Sequence, residues 1–318
     1  MASTNWLIAW IAIEVNLLAF IPIILSEKLN QEVEAAVKYF ISQALGSALI
    51  IYSSVSLWGS LSSTVLISVL VIRLLLKLGA APCHYWFPSV ILSISWINCL
   101  ILATWQKIAP LVLLVFLLSS TNSLKLLISV CAGLNAILGG WIGLNQTHIR
   151  SILAYSSITH IGWIVGASLV GGIPATIYLI FYSLVITPLF IILGILKTTS
   201  IAQLSQLILK SKYILIIVTV LLLSLAGLPP LTGFLPKWIV ISLLRNLNIT
   251  LVYPLLIGSF INLYFYLNIT FNSLTSLITP TSNPVSISIS TTISIVFLTG
   301  VRALGFIPII FYAMTLLY

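Results

Sequence analysis

Runs of about twenty apolar residues, the length a helix needs to cross a bilayer core, follow one another along nearly the whole chain. Only short polar stretches separate them. Of 318 residues, 13 are Lys or Arg and four are Asp or Glu, which makes 5% charged. A soluble domain carries about 25% charged residues because its surface must be solvated, so most of this surface faces lipid. No alternating pattern of barrel strands is present. The expected class is an all-α, polytopic membrane protein.

About ten spans are predicted, near 6–25, 36–58, 61–82, 90–118, 125–143, 151–170, 174–196, 213–246, 250–271 and 287–317. Two of them are expected to be broken. The eighth contains Leu225-Ala-Gly-Leu-Pro-Pro-Leu-Thr-Gly-Phe-Leu-Pro-Lys237-Trp238, in which Pro229 and Pro230 remove backbone donors while Gly227 and Gly233 loosen the chain. The third ends at Lys77-Leu-Gly-Ala-Ala-Pro82. Irregular backbone survives at membrane depth only where protein or a wet cavity satisfies it. Two interrupted segments, each pairing a Lys with Pro and Trp, echo the arrangement of transporter repeats. The polar stretch around Thr275–Ser286 reads as a loop, and residues 1–318 read as one transmembrane domain with no leader peptide.

Net charge is +9. The cations are scattered singly and form no basic patch, so a nucleic-acid partner is not expected. Their placement sets orientation instead. The odd connections carry Lys28, Lys38, Arg150, Lys197, Lys210 and Lys212, whereas the even ones carry Lys125 and Arg245. The odd connections are therefore expected on the matrix or cytoplasmic side, with both termini opposite. Cys83, Cys99 and Cys131 have neither disulfide nor metal-ligand spacing. No phosphate-binding glycine loop is present, so no cofactor or redox centre is expected in this chain.

Four ionisable residues fall inside the apolar runs: Glu14, Lys77, Lys107 and Lys237. A charge at the bilayer centre costs about 2.5–3.5 kcal/mol on insertion scales, so four cost roughly 10–14 kcal/mol. Such residues are retained for use, and the usual use is moving ions or protons. Lysine suits this work because an ammonium taken out of water releases its proton more readily, while a nearby carboxylate restores the charged form. A bland alternative stands beside each. Glu14 could be protonated or paired structurally, Lys107 could bond carbonyls released by Pro110, and Lys77 and Lys237 could snorkel outward. His84 and His160 are weaker candidates for a relay between lysines, or else packing histidines. Arg73 precedes Lys77 by one turn, and Arg302 lies mid-span without an assigned role. The aromatic residues read as lipid-facing and interfacial, without chemistry.

The runs Trp10-Ile-Ala-Ile-Glu14, Glu34-Ala-Ala-Val-Lys-Tyr-Phe40, Lys77-Leu-Gly-Ala-Ala-Pro-Cys-His-Tyr-Trp86 and Thr104-Trp-Gln-Lys-Ile-Ala-Pro110 resemble the chain-2 family of animal mitochondrial NADH:ubiquinone oxidoreductase. So do Gly143-Leu-Asn-Gln-Thr147, Leu153-Ala-Tyr-Ser-Ser-Ile-Thr-His160 and the stretch 225–238. The resemblance is collinear over about residues 5–270. It implies an antiporter-like, inverted-repeat subunit in the membrane arm of respiratory complex I, in the mitochondrial inner membrane. Its implied partners are other membrane-arm subunits, accessory subunits and phospholipid. NADH, FMN, iron–sulfur clusters and ubiquinone are implied elsewhere in the complex. By resemblance, an acid pairing with a lysine before the first break falls on Glu14 and Lys77. A second lysine falls on Lys107, and a third, after the second break, on Lys237.

Three departures accompany the resemblance. The family's animal members have a further helix before the Glu14 helix, so an N-terminal helix or helices are expected to be missing. Ser89 stands where relatives often carry an acid. Two methionines are few, which leads to the expectation that some Ile codons are read as Met. The expected function is proton translocation coupled to electron transfer from NADH to ubiquinone. The alternatives are a cation/proton antiporter subunit and a structural spacer of the membrane arm.

Overall fold

A computed structural model describes residues 6–27, 29–56, 63–120, 124–201, 203, 212–229 and 231–275. The span expected at 287–317 with Arg302, the loop from residue 276, Pro230, Lys28 and Lys210 lie outside the described residues. Among those described, twelve α-helices account for the fold. They are α1 (Trp6–Ile24), α2 (Asn30–Ser56), α3 (Ser63–Leu78), α4 (Trp86–Ser93), α5 (Trp96–Ala103) and α6 (Trp105–Ser120). The series continues with α7 (Lys125–Gly143), α8 (Ile149–Ser168), α9 (Gly172–Leu196), α10 (Lys212–Ala226), α11 (Phe234–Leu247) and α12 (Ile249–Thr275). Helix is the expected outcome, because each apolar run must satisfy its backbone groups within itself. Five stretches are long and apolar enough to cross a membrane: Ile8–Glu27, Trp96–Ser119, Lys125–Gly143, Gly172–Leu196 and Ile249–Ser273. The protein is a multi-pass membrane protein.

The bundle is built inside out relative to a soluble domain. Large apolar residues such as Leu126 and Ile173 point outward, at 77% and 76% exposure, while Lys77, Lys107 and Lys237 lie inside at 5%, 2% and 6%. Helix α8 runs through the middle, with every residue from Ser156 to Ser168 buried. It packs closely against α7 because Gly139 presents no side chain there. A Cβ on Gly139 would stand 2.6 Å from Thr159 Cγ2 and 2.7 Å from the Tyr155 carbonyl. On the other side of α7, Gly140 meets Ile261 and the Gly258 backbone of α12. Small residues at such crossings let membrane helices approach where apolar burial alone gives no driving force.

A span running unbroken over 90–118 is not what forms. Helix α4 ends at Ser93, Ile94 is extended (φ −98°, ψ 161°), and α5 starts at Trp96. With eight residues, α4 is about 12 Å long, too short to cross, and it belongs spatially with the end of α3. Side chains meet carbonyls around the turn. Ser93 Oγ donates to the Ser89 and Val90 carbonyls, and Cys99 Sγ donates to those of Ile91 and Ile94.

The connections gather at two ends. Arg150 Nη1 donates to the Leu92 carbonyl, and His148 pairs with Ser200 in an isolated antiparallel bridge. The turns after α4, α7 and α9 therefore share one end. The turn after α8 lies at the other, where a Cβ on Gly172 would meet Val115 near the end of α6 at 3.0 Å.

Candidate functional site

The site begins where α3 stops. Gly79 adopts φ +71°, which a residue with a Cβ rarely tolerates, and a Cβ there would sit 2.9 Å from Phe87. Helix ends release carbonyls and amides that a bilayer cannot satisfy. Here the Trp86 indole donates to the Leu76 carbonyl at 2.9 Å, and the Ala81 amide donates to Asn135 Oδ1 at 2.6 Å. Asn135 is anchored in turn by donating through Nδ2 to the Cys131 carbonyl. The interruption thus hangs from α7, and it fixes Lys77 at the last turn of α3.

Lys77 Nζ is buried and finds no hydrogen-bond partner among the described residues. Glu14 on α1 acts on it electrostatically. The two form no direct pair: among the described residues, the ion pair closer than 4 Å is Lys38–Glu34 on the surface of α2. Lys77 instead lines a cavity of about 20 Å³ with Lys107, Asn16, Tyr39, Gln43 and Gln106. A water molecule needs about 10–15 Å³ and several polar partners, and this cavity offers both. Asn16 Nδ2 donates to Gln106 Oε1 at 2.6 Å, which ties α1 to α6 one residue before Lys107.

Among the described residues, no carboxylate pairs with Lys107. Its ammonium lies 5.0 Å from the ring centroids of both Phe87 and Tyr182. A desolvated cation over an aromatic face gains about 2 kcal/mol, so the rings offset part of the cost of burying a charge here without trapping it in an ion pair. The Tyr182 ring stands 5.0 Å from that of His160, and His160 Nδ1 shares a 3.0 Å hydrogen bond with the Tyr178 hydroxyl. Lys107 and Lys237 both act electrostatically on His160. A second cavity, of about 10 Å³, is lined by His160, Tyr178, Tyr182, Ser224, Gly233 and Pro236.

Lys237 closes the series at the interruption between α10 and α11. Its Nζ donates to the Ala226 carbonyl at 2.7 Å, placing positive charge at the negative end of α10. Gly227 makes the contact possible. Its φ is +83°, and a Cβ on it would stand 2.7 Å from Lys237 Nζ.

The family model described as NADH:quinone oxidoreductase/Mrp antiporter, transmembrane, matches residues 3–262. The chain belongs to this family. Among curated relatives, NADH-ubiquinone oxidoreductase chain 2 of Lumbricus terrestris is 47% identical over 277 residues, covering 86% of this chain and 82% of the relative. The chain 2 of Polypterus ornatipinnis is 43% identical over 289 residues, covering 88% and 82%. Among solved structures, a chain of respiratory complex I from Thermus thermophilus superposes with a TM-score of 0.83 at 25% identity, over 96% of this chain and 73% of that one.

Of the residues singled out in this family member from sequence, Lys77 and Lys107 share one cavity, Lys107 meets His160 through the Tyr182 ring, and Lys237 acts on His160 electrostatically. Glu14 acts on Lys77 from a distance. His84 is buried and stacked on Tyr85, with centroids 4.3 Å apart, and no described contact joins it to a lysine. The expectation that the aromatics face lipid is corrected for the ten buried ones among the described residues, Phe87 and four tyrosines included. Tyr39, Tyr178, Tyr182 and Tyr266 are at most 4% exposed, and the first three line the cavities. Their signal was spacing: Tyr178 and Tyr182 lie four apart mid-helix, as do Asn262 and Tyr266, so each pair shares one helix face.

Proposed function

We propose that this chain is a proton-translocating, antiporter-like subunit of the membrane arm of NADH:ubiquinone oxidoreductase in the mitochondrial inner membrane. The reading rests on one observation above the rest: three buried lysines on three separate helices, two of them sharing a hydratable cavity, with His160 acted on by Lys107 and Lys237 and, among the described residues, no carboxylate paired with any of the three. Electron transfer from NADH to ubiquinone takes place in other subunits, which hold FMN and the iron–sulfur clusters, and it supplies the driving energy.

In this reading the chain crosses the membrane ten times, with α3–α4 and α10–α11 as the interrupted crossings. The ends carrying Arg150 and Lys197 face the matrix, and both termini face the intermembrane space. Glu14 acts on Lys77 at the start of the path. Water in the first cavity carries the proton towards Lys107, whose arriving charge disfavours a second charge nearby and so urges the proton onward. The aromatic and histidine groups then lead towards Lys237. Each ammonium is either weakly held or bonded to a carbonyl, so protonation can alternate without breaking a strong ion pair.

The test is Lys107→Met in an assembled complex. Proton pumping per NADH oxidised, followed with a pH-sensitive dye in sealed vesicles, is expected to fall severalfold. Normal pumping would remove Lys107 from the path.

A further inference from the structure

Arg150 is the second residue of α8, at the end of the bundle where the turns after α4, α7 and α9 meet. Its Nη1 donates to the Leu92 carbonyl, and its guanidinium lies 5.0 Å from the ring centroid of Trp96, the first residue of α5. Arg150 Nε is buried and finds no acceptor among the described residues. Nor does the Trp96 indole N–H, although Trp96 is only 6% exposed. Trp96 is held against α9: its ring centroid stands 5.6 Å from that of Phe190, and a Cβ on Gly194 would meet the Trp96 Cβ at 3.0 Å. The chain leaving α9 folds in alongside, because the Ile149 amide donates to the Thr199 carbonyl and the Ile201 amide donates to that of Thr147. This brings Thr198, 3% exposed, to the same junction, where its hydroxyl too lacks a partner among the described residues. Lys197 precedes it, exposed on a left-handed turn with φ +51°.

The junction of α5, α8 and α9 thus carries two spare N–H donors, a spare hydroxyl and two cations. The start of α8 adds to the positive field, since its N-cap His148 makes no side-chain bond to the first-turn amides. Among the described residues, no carboxylate pairs with Arg150 or Lys197; Glu34 is taken by Lys38, and Glu32 accepts from the Glu27 amide. Donors and positive charge without an acceptor call for an anion. The residues leading into the membrane identify its carrier. Ile97, next to Trp96 on α5, is 72% exposed, and on α9 Ile195, next to Gly194, and Ile191 one turn further in are exposed as well. Cationic groups at the mouth of an open apolar seam between helices match a lipid, whose charged head and acyl chains they meet in that order. We propose that this junction binds an anionic phospholipid. Its phosphate oxygens accept from the Arg150 guanidinium and the Trp96 indole, Lys197 adds charge, and an acyl chain lies along Ile97, Ile195 and Ile191. The site is separate from the proton path and depends only on the membrane-spanning fold.

The test uses the assembled complex in phosphatidylcholine vesicles containing a trace of phosphatidylglycerol with a photoreactive acyl chain. Illumination is expected to attach this probe near Ile97 and Ile195, read by peptide mass spectrometry, several times more than a phosphatidylcholine probe of the same chain. Equal labelling by the two probes overturns the site, because the head charge is then not read. Excess inorganic phosphate is expected to leave the labelling intact; its loss would assign the junction to a free anion and overturn the lipid. Trp96→Phe keeps the ring and removes the N–H, and Arg150→Gln removes the charge. Each is expected to cut labelling by the anionic probe severalfold, and undiminished labelling in both overturns the proposal. The comparison of the two probes in the native complex decides the matter even where a variant does not assemble. In a density map of the native complex, a phosphate is expected beside Arg150 and Trp96, and a carboxylate of a neighbouring subunit in that place would overturn the lipid in favour of an acidic protein contact.

Discussion

Gly227 has two reasons to lack a side chain. Its φ of +83° is one that L-residues rarely adopt, and the ammonium of Lys237 occupies the space a Cβ would take, 2.7 Å away. Gly227→Ala is therefore expected to destabilise the α10–α11 junction by about 1–2 kcal/mol from backbone strain alone. The same change displaces Lys237 from the Ala226 carbonyl, so pumping should fall even where the complex assembles. Thermal melting of the assembled complex reads the first effect, and vesicle acidification per NADH reads the second. A variant that melts lower yet pumps normally would mean that the Lys237–Ala226 bond serves the fold only. Lysines of this kind were legible in the sequence because charge inside an apolar run is conspicuous along one dimension. Tyr182 and Tyr266 were not. An aromatic in a membrane helix is equally at home against lipid or against protein, and only the helix's rotation, set by Gly139-type contacts elsewhere, decides which.

At the scale of elements, the two interruptions differ in how they are held. The one after α10 is braced by the lysine itself, while the one after α3 depends on α7 through Asn135. Asn135→Leu keeps the branched shape but leaves the Ala81 amide without its acceptor. The expected cost is about 1–3 kcal/mol, with faster hydrogen exchange at the backbone amides of residues 79–85. Exchange as slow as in the native protein would show that another acceptor takes over. Helix α7 also sets the spacing of the bundle centre. Gly139→Ala forces a Cβ against Thr159 and the Tyr155 carbonyl, an overpacking that costs about 1–3 kcal/mol and should lower the yield of assembled complex on native gels. Gly and Pro mark both junctions in the sequence because they act locally. The break at Ser93–Ser95 has no such mark, because two serines among apolar residues read as an ordinary stretch of span. Cys99 Sγ reaches the Ile91 carbonyl only once the chain has turned back, a contact that sequence does not display.

For the molecule as a whole, the gathering of turns at two ends converts a count of loop charges into a single geometric question. Arg150 reaches Leu92, and His148 pairs with Ser200, so the turns after α4, α7 and α9 must lie on the same side of the membrane. The turn at Asn248 follows one further crossing in this reading and must lie opposite. The excess of Lys and Arg then selects which end stays on the side of synthesis. Thr199 and Asn248 are both exposed and serve as reporters, while the native Cys99 and Cys131 are buried and Cys83 is half-buried. With a membrane-impermeant maleimide, Asn248→Cys is expected to react in intact mitoplasts. Thr199→Cys should react only after the inner membrane is opened, and the native chain supplies the background. The reversed pattern would overturn the orientation while leaving the pairing of ends intact. Reaction of both from one side would be more serious. It would mean that α10–α11 returns to the side it left, and Lys237 would then stand at the bottom of a re-entrant loop, with access to one face only. A proton handed along from Lys107 could not then leave on the far side through Lys237, and the exit would have to lie elsewhere in the bundle.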